Sequence, residues 1–149
     1  MHLILNTILK MAKQSFVIFL FISISVFAQD KKTLMLFEKG KKDFLERKYE
    51  SALSNFEKYL EKDSSKIEAY FRIGQIHESF RNQKKATEYY LKLIEKDTAG
   101  VSFVQAYTYL GSRALENHRF EDAKKYLTIS LNNTNKNSIV YQQIQKQLK

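Results

Sequence analysis

The sequence predicts an all-α fold, a solenoid of about three helix hairpins closed by a C-terminal capping helix. Three observations lead there. The 149-residue chain has no Pro and only four Gly, and 28% of its residues are charged. That composition lacks the breakers a turn-rich β fold needs. The stretch ALSNFEKYLEKD at 52–63 returns 34 positions later as ATEYYLKLIEKD at 86–97. Within each copy the apolar side chains fall at spacings of 3, 4 and 7, which puts them on one face of a helix.

The first 28 residues stand apart from this pattern. Lys10 and Lys13 precede the uncharged run SFVIFLFISISVFA at 15–28, and Val26 and Ala28 take the −3 and −1 places of a cut before Gln29. Basic, apolar and small-residue regions in that order make a secretory signal peptide. The run has 14 residues, against about 20 for a spanning helix. A leader is therefore expected at 1–28, with an uncleaved signal anchor as the alternative. Met11 would also open a complete leader. On cleavage the 25 Lys and Arg fall to 23 while all 16 acids remain, a formal charge of +7. These basic residues are spread along the helices among Glu, as on solvated faces, so no nucleic acid is expected. No Cys is present, which excludes disulfides, thiolate metal sites and a lipid-bearing Cys.

The second helix of each unit comes first in clarity. Tyr49, Ala52, Phe56, Tyr59 and Leu60 recur as Gln83, Ala86, Tyr90, Leu93 and Ile94, and again as Phe120, Ala123, Leu127, Ser130 and Leu131. The small Ala at one register lets a neighbouring helix come close. A preceding helix is expected in each unit. AYFRIGQIHESF (69–80) aligns with AYTYLGSRALEN (106–117), matching Tyr70, Ile73 and Gly74 to Tyr107, Leu110 and Gly111. Gly inside a helix costs about 1 kcal/mol relative to Ala. Its recurrence predicts backbone-to-backbone contact with the paired helix.

These registers resemble the tetratricopeptide repeat (TPR), a 34-residue unit of two antiparallel helices. The repeats are placed at 33–66, 67–100 and 104–137, within a repeat region of 29–137. Repeat 1 departs in its first helix. Gly40 is in place, but Asp43 stands where a large side chain is usual, and the apolar stripe is Leu34, Phe37, Phe44 and Leu45. That helix is expected to be rotated or differently packed. The usual Pro between repeats is missing, so DSS (63–65) and DT (97–98) are expected to stop one helix and cap the next. Three extra residues in DTAGVSF (97–103) should change the local packing angle or lengthen the following helix. The resemblance implies a right-handed α-solenoid whose stacked hairpins complete one another's core. Residues 138–149, SIVYQQIQKQLK, are the capping helix, with Val140, Ile144 and Leu148 as its inward stripe.

No chemistry is signalled. There is no Gly-rich phosphate loop and no HExxH motif. His77 and His118 sit at different registers and read as surface or groove residues. Glu61 and Asp63 sit at a helix end. No catalytic residue, metal site or cofactor is expected. DTA at 97–99 resembles an O-glycosylation motif of exported bacterial proteins.

The resemblance implies a concave groove, lined by the first helices, that binds peptides or partner helices. Its registers give Phe37, Lys41 and Phe44 from repeat 1, Phe71, Gln75 and Glu78 from repeat 2, and Thr108, Ser112 and Leu115 from repeat 3. The same registers also give Leu34, Glu68 and Gln105. Phe71 is the foremost anchor, while Phe37 and Phe44 have a second reading as core of a rotated helix. The carboxylate clamp of chaperone-binding relatives is incomplete. The expectation is an exported, non-catalytic adaptor, in the periplasm or secreted from a Gram-negative bacterium. Its partner would be a cell-envelope protein, with membrane contact only through an uncleaved leader or that partner. The alternative is a truncated or short relative of multidomain envelope proteins whose repeats precede a propeller and an OmpA-like domain and assemble an outer-membrane or peptidoglycan-associated complex.

Overall fold

The computed structural model describes residues 30–97 and 103–148. The leader at 1–28 and most of the link at 98–102 lie outside them. The described chain is a succession of helices: α1 over 30–45, α2 Tyr49–Leu60, α3 Ile67–Ser79, α4 Gln83–Lys96, α5 Val104–Glu116, α6 Phe120–Asn132 and α7 Ile139–Gln147. They pair as α1–α2, α3–α4 and α5–α6, and α7 packs on α6. No strand occurs among the described residues.

Each hairpin turns in the same way. Arg47, Arg81 and His118 all sit at φ of 56–58°, the left-handed region that favours Gly. At each turn two backbone N–H groups reach back to the preceding helix. Lys48, Asn82 and Arg119 donate to the carbonyls of Asp43, His77 and Ala114 at 2.8 Å. Arg47, Arg81 and His118 donate to Phe44, Glu78 and Leu115. This is the Schellman pattern, which satisfies carbonyls the helix end would leave unpaired. Next in sequence, the Asn82 side chain accepts from the Lys85 N–H at 3.2 Å and starts α4. Ser138 does the same for α7 through the Tyr141 N–H. Asp63 behaves differently from expectation. It accepts from the Ser65 N–H and from the Tyr59 hydroxyl, which fixes the turn, while the N-cap of α3 is Lys66, with no side-chain cap. The longer link does not lengthen α5, which has 13 residues like α3.

The core runs from hairpin to hairpin. Phe37, Ala52, Phe56, Tyr59, Ala69, Ile73 and Ile76 join α1, α2 and α3. Tyr70, Phe71, Ala86, Tyr90, Leu93, Ala106 and Leu110 join α3, α4 and α5. Helix α3 thus serves both clusters, the nearest-neighbour packing of a solenoid. Within each hairpin a Gly on the first helix lies against a large side chain of the second. A Cβ on Gly40 would come within 2.8 Å of the Phe56 ring, and one on Gly111 within 2.6 Å of Leu127. Gly74 is packed still more tightly against Tyr90. At Gly40 and Gly74 the Gly therefore makes room for a side chain rather than for a second backbone, while at Gly111 the Leu127 backbone N also comes within 3.3 Å of that Cβ position.

Gly40 settles the first helix: it packs as Gly74 and Gly111 do, so α1 keeps the common register. Asp43 is buried there because it accepts from Ser51 Oγ at 2.7 Å and Asn55 Nδ2 at 2.9 Å, polar partners that replace an apolar neighbour. The stripe read from sequence is corrected at both ends. Leu34 is 49% exposed and Leu45 80% exposed. In α7 the inward face is Tyr141, Ile144 and Leu148, with Ile144 buried, while Val140 is 45% exposed.

Gly74→Ala forces the Tyr90 ring to move, at a cost of about 1–3 kcal/mol against a helix gain of about 1 kcal/mol; thermal unfolding should show a lowered Tm. Arg81→Gly relieves a left-handed residue and should stabilise by about 0.5–1 kcal/mol, read as a higher urea midpoint at unchanged slope.

Candidate functional site

Helices α1, α3 and α5 lie side by side on the inner face of the solenoid. The Arg72 guanidinium of α3 sits 5.2 Å from the Phe44 ring of α1. Gln75 of α3 donates to Gln105 of α5 at 3.1 Å, and Gln147 at the end of α7 donates to Ser112 of α5 at 3.1 Å. By repeat register the nine candidate residues fall into three rows, each row taking one residue from each repeat, while the contacts between helices run from one register to another.

The first row, Phe37, Phe71 and Thr108, is a floor. Phe37 is 1% exposed and packs against Phe56 and Tyr59 with centroids 5.7 and 5.3 Å apart. The Lys66 ammonium lies 4.0 Å from its centroid. A partner cannot reach it, so its place is in the core although α1 is not rotated. Phe71 is 9% exposed, with Phe103 at 4.8 Å and Tyr90 at 6.0 Å. Thr108 turns its hydroxyl toward α6, 2.6 Å from that of Ser130, and donates to the Val104 carbonyl.

The second row, Lys41, Gln75 and Ser112, is polar and partly open. Gln75 is held at both ends of its amide, since its Oε1 accepts from Arg72 Nη1 at 3.2 Å. Arg72 in turn bonds to Glu68 at 3.3 Å. Lys41 pairs with Glu38 at 3.3 Å. A line of amides, one guanidinium and one hydroxyl therefore runs across α3, α5 and α7.

The third row is Phe44, Glu78 and Leu115, all half-buried. The Phe44 ring meets Tyr49 edge-on at 5.7 Å. Glu78 accepts a hydrogen bond from the Tyr90 hydroxyl. Burial pushes the Glu78 carboxyl above its ordinary range, and the Tyr90 bond opposes this. Burial, then the neighbouring Glu78, pushes the Tyr90 hydroxyl up.

Sequence reasoning missed Arg72, Gln147 and Tyr90 as parts of this face. The repeat register named only first-helix positions, whereas Tyr90 reaches it from α4 and Gln147 from α7.

His77 is neither in the groove nor on the surface. It is buried, stacked on Tyr89 with centroids 5.7 Å apart, with Phe80 edge-on at 6.4 Å. Among the described residues its Nδ1 has no hydrogen-bond partner. Burial lowers its pKa, against the pull of Glu57 on α2 and Glu88 on α4 and with the help of Lys85. Among the described residues no group of His, Asp and Glu is placed to hold a metal ion, and no helix is long and apolar enough to cross a membrane.

Neither a protein-family model nor a curated protein matches the sequence. Solved structures do match its fold. The MamA protein superposes with a TM-score of 0.64 at 20% identity, over 80% of this chain and 61% of its own; the chain thus spans about three-fifths of that structure. The Arabidopsis OM64 TPR domain gives 0.64 at 15% identity, over 80% and 95%. The first TPR of Spaghetti (RPAP3), bound to an HSP90 peptide, gives 0.61 at 20%, over 79% and 94%. The fold is that of a right-handed TPR solenoid.

Because His77 is held below its ordinary 6.5, the unfolded chain takes up its proton first as pH falls. His77 then contributes stability that is complete above pH 6.5 and is lost on acidification below it. Urea midpoints from neutral pH to pH 5 should fall less steeply in His77→Phe.

Proposed function

We propose that this chain is a non-catalytic adaptor, exported from its cell, that holds an extended segment of a cell-envelope protein against the inner face of α1, α3 and α5. The observation that carries the reading is the polar second row. Gln75 and Ser112 currently bond to Gln105 and Gln147, neighbours that are free to exchange those bonds for the N–H and C=O groups of a peptide backbone. Such exchange gives affinity with little demand on sequence, and the half-buried third row supplies side-chain choice. The buried floor beneath keeps these groups in place. Export is supported by the leader pattern at 1–28. A protein-binding role is supported by the neighbouring TPR structures, one of which holds an HSP90 peptide.

A photo-crosslinking amino acid at position 75 or 112 of the full-length chain, in intact cells, should give a discrete protein adduct. The same group at Lys92 on α4 should not. Equal adducts from both faces, or adducts from position 92 alone, would reject the groove.

A further inference from the structure

One group on the inner face lacks its complement. Glu78 is the carboxylate of the third row, half-buried at the register that Phe44 holds on α1 and Leu115 on α5. Among the described residues one hydrogen bond holds it, from Tyr90. Tyr90 is itself fully buried, and its ring lies in the space that Gly74 leaves open. The carboxylate is thus set in position by the hairpin core. Among the described residues no ion pair reaches it. Arg72, nearly two turns earlier on α3, pairs with Glu68. Arg113, whose charge acts on the neighbouring Tyr109, pairs with Glu116. The contrast with other acids is clear: Glu88 bonds to Lys92 and Glu46 to Lys48 on open surface. A partly desolvated carboxylate without a cation is costly in the free protein and rewards a ligand that supplies one.

We propose that Glu78 anchors a lysine or arginine side chain of the bound segment, an inference that rests on the groove reading above. The Tyr90 hydroxyl fixes the carboxylate and leaves it further acceptor positions for an ammonium or guanidinium. Phe44 and Leu115 hold the equivalent register on α1 and α5, so the favoured segment carries a basic residue with apolar side chains on either side. The chain is basic overall, with a formal charge of +9, and general attraction would favour acidic segments. Selection of a basic one is therefore a local property of this row.

The test uses an array of immobilised peptides with apolar flanks, the central residue varied among Lys, Arg, Gln, Glu and Ala. The full-length chain is compared with Glu78→Gln, which keeps an acceptor for Tyr90, and with Gln75→Arg, which obstructs the groove. The chain should prefer Lys and Arg, and Glu78→Gln should lose about tenfold on those peptides alone. Raising salt should weaken wild-type binding to the Lys peptide and not to the Gln peptide, a readout that needs no variant. Binding abolished by Gln75→Arg but indifferent to the central residue would overturn the anchor and leave the groove standing. Binding indifferent to Gln75→Arg, or absent from every peptide, would overturn both.

Discussion

The contact between a glycine and a large side chain inside each hairpin is the constraint on which the molecule depends. Gly40 receives Phe56, Gly74 receives Tyr90 and Gly111 receives Leu127. A helix-interior Gly gives up about 1 kcal/mol of helix propensity. The return is burial of an aromatic or Leu side chain, worth about 1.5–3 kcal/mol, at a crossing no Cβ would permit. The same contact repeated three times gives the hairpins one geometry. Stacked on one another they place α1, α3 and α5 together on a single face. The three Schellman turns, closed without Gly at Arg47, Arg81 and His118, follow from that geometry, since packing overrides the local preference for φ below zero.

From this frame the inner face acquires its character. The side chains nearest the hairpin contact, Phe37 and Phe71, are drawn into the core and cease to be available. The next register outward is left with amides and hydroxyls, and the last with a half-buried carboxylate. A face so arranged does not offer an apolar trough for an amphipathic helix. It offers a rigid floor, a line of exchangeable polar bonds and one carboxylate set in place by Tyr90. That combination suits an extended chain, whose backbone needs partners and whose side chains alternate in direction.

The fold was legible because a repeat states its own register. Ala52, Ala86 and Ala123, with the glycines, mark the closest approaches in each copy, and a single helical period then orients every other residue. What the period could not supply was contact between registers. Phe71 read as an anchor because Tyr70 and Ile73 already filled the inward positions; Phe103, which covers it, comes from a link outside the repeat pattern. Asp43 read as a sign of rotation, yet Ser51 and Asn55, each one position before a core residue of α2 (Ala52 and Phe56), satisfy it. His77 read as a surface or groove residue because nothing local predicts that Tyr89 and Phe80 close over it. Val140 seemed to continue an every-fourth-residue stripe, but α7 presents Tyr141, Ile144 and Leu148 instead, at spacings of 3 and 4. The leader lies beyond the described residues and remains a reading of the sequence.

The most direct measurement of the central claim, that the face built by the three glycine contacts is the binding surface, is amide chemical-shift mapping of the isotope-labelled chain. It would be titrated with the tightest apolar–basic–apolar peptide. The account predicts shifts on α1, α3 and α5, largest around Gln75, Glu78 and Ser112, with α2, α4 and α6 little changed apart from Tyr90. Shifts concentrated on the outer faces of α2, α4 and α6, around Glu57, Lys92 and Lys124, would contradict it.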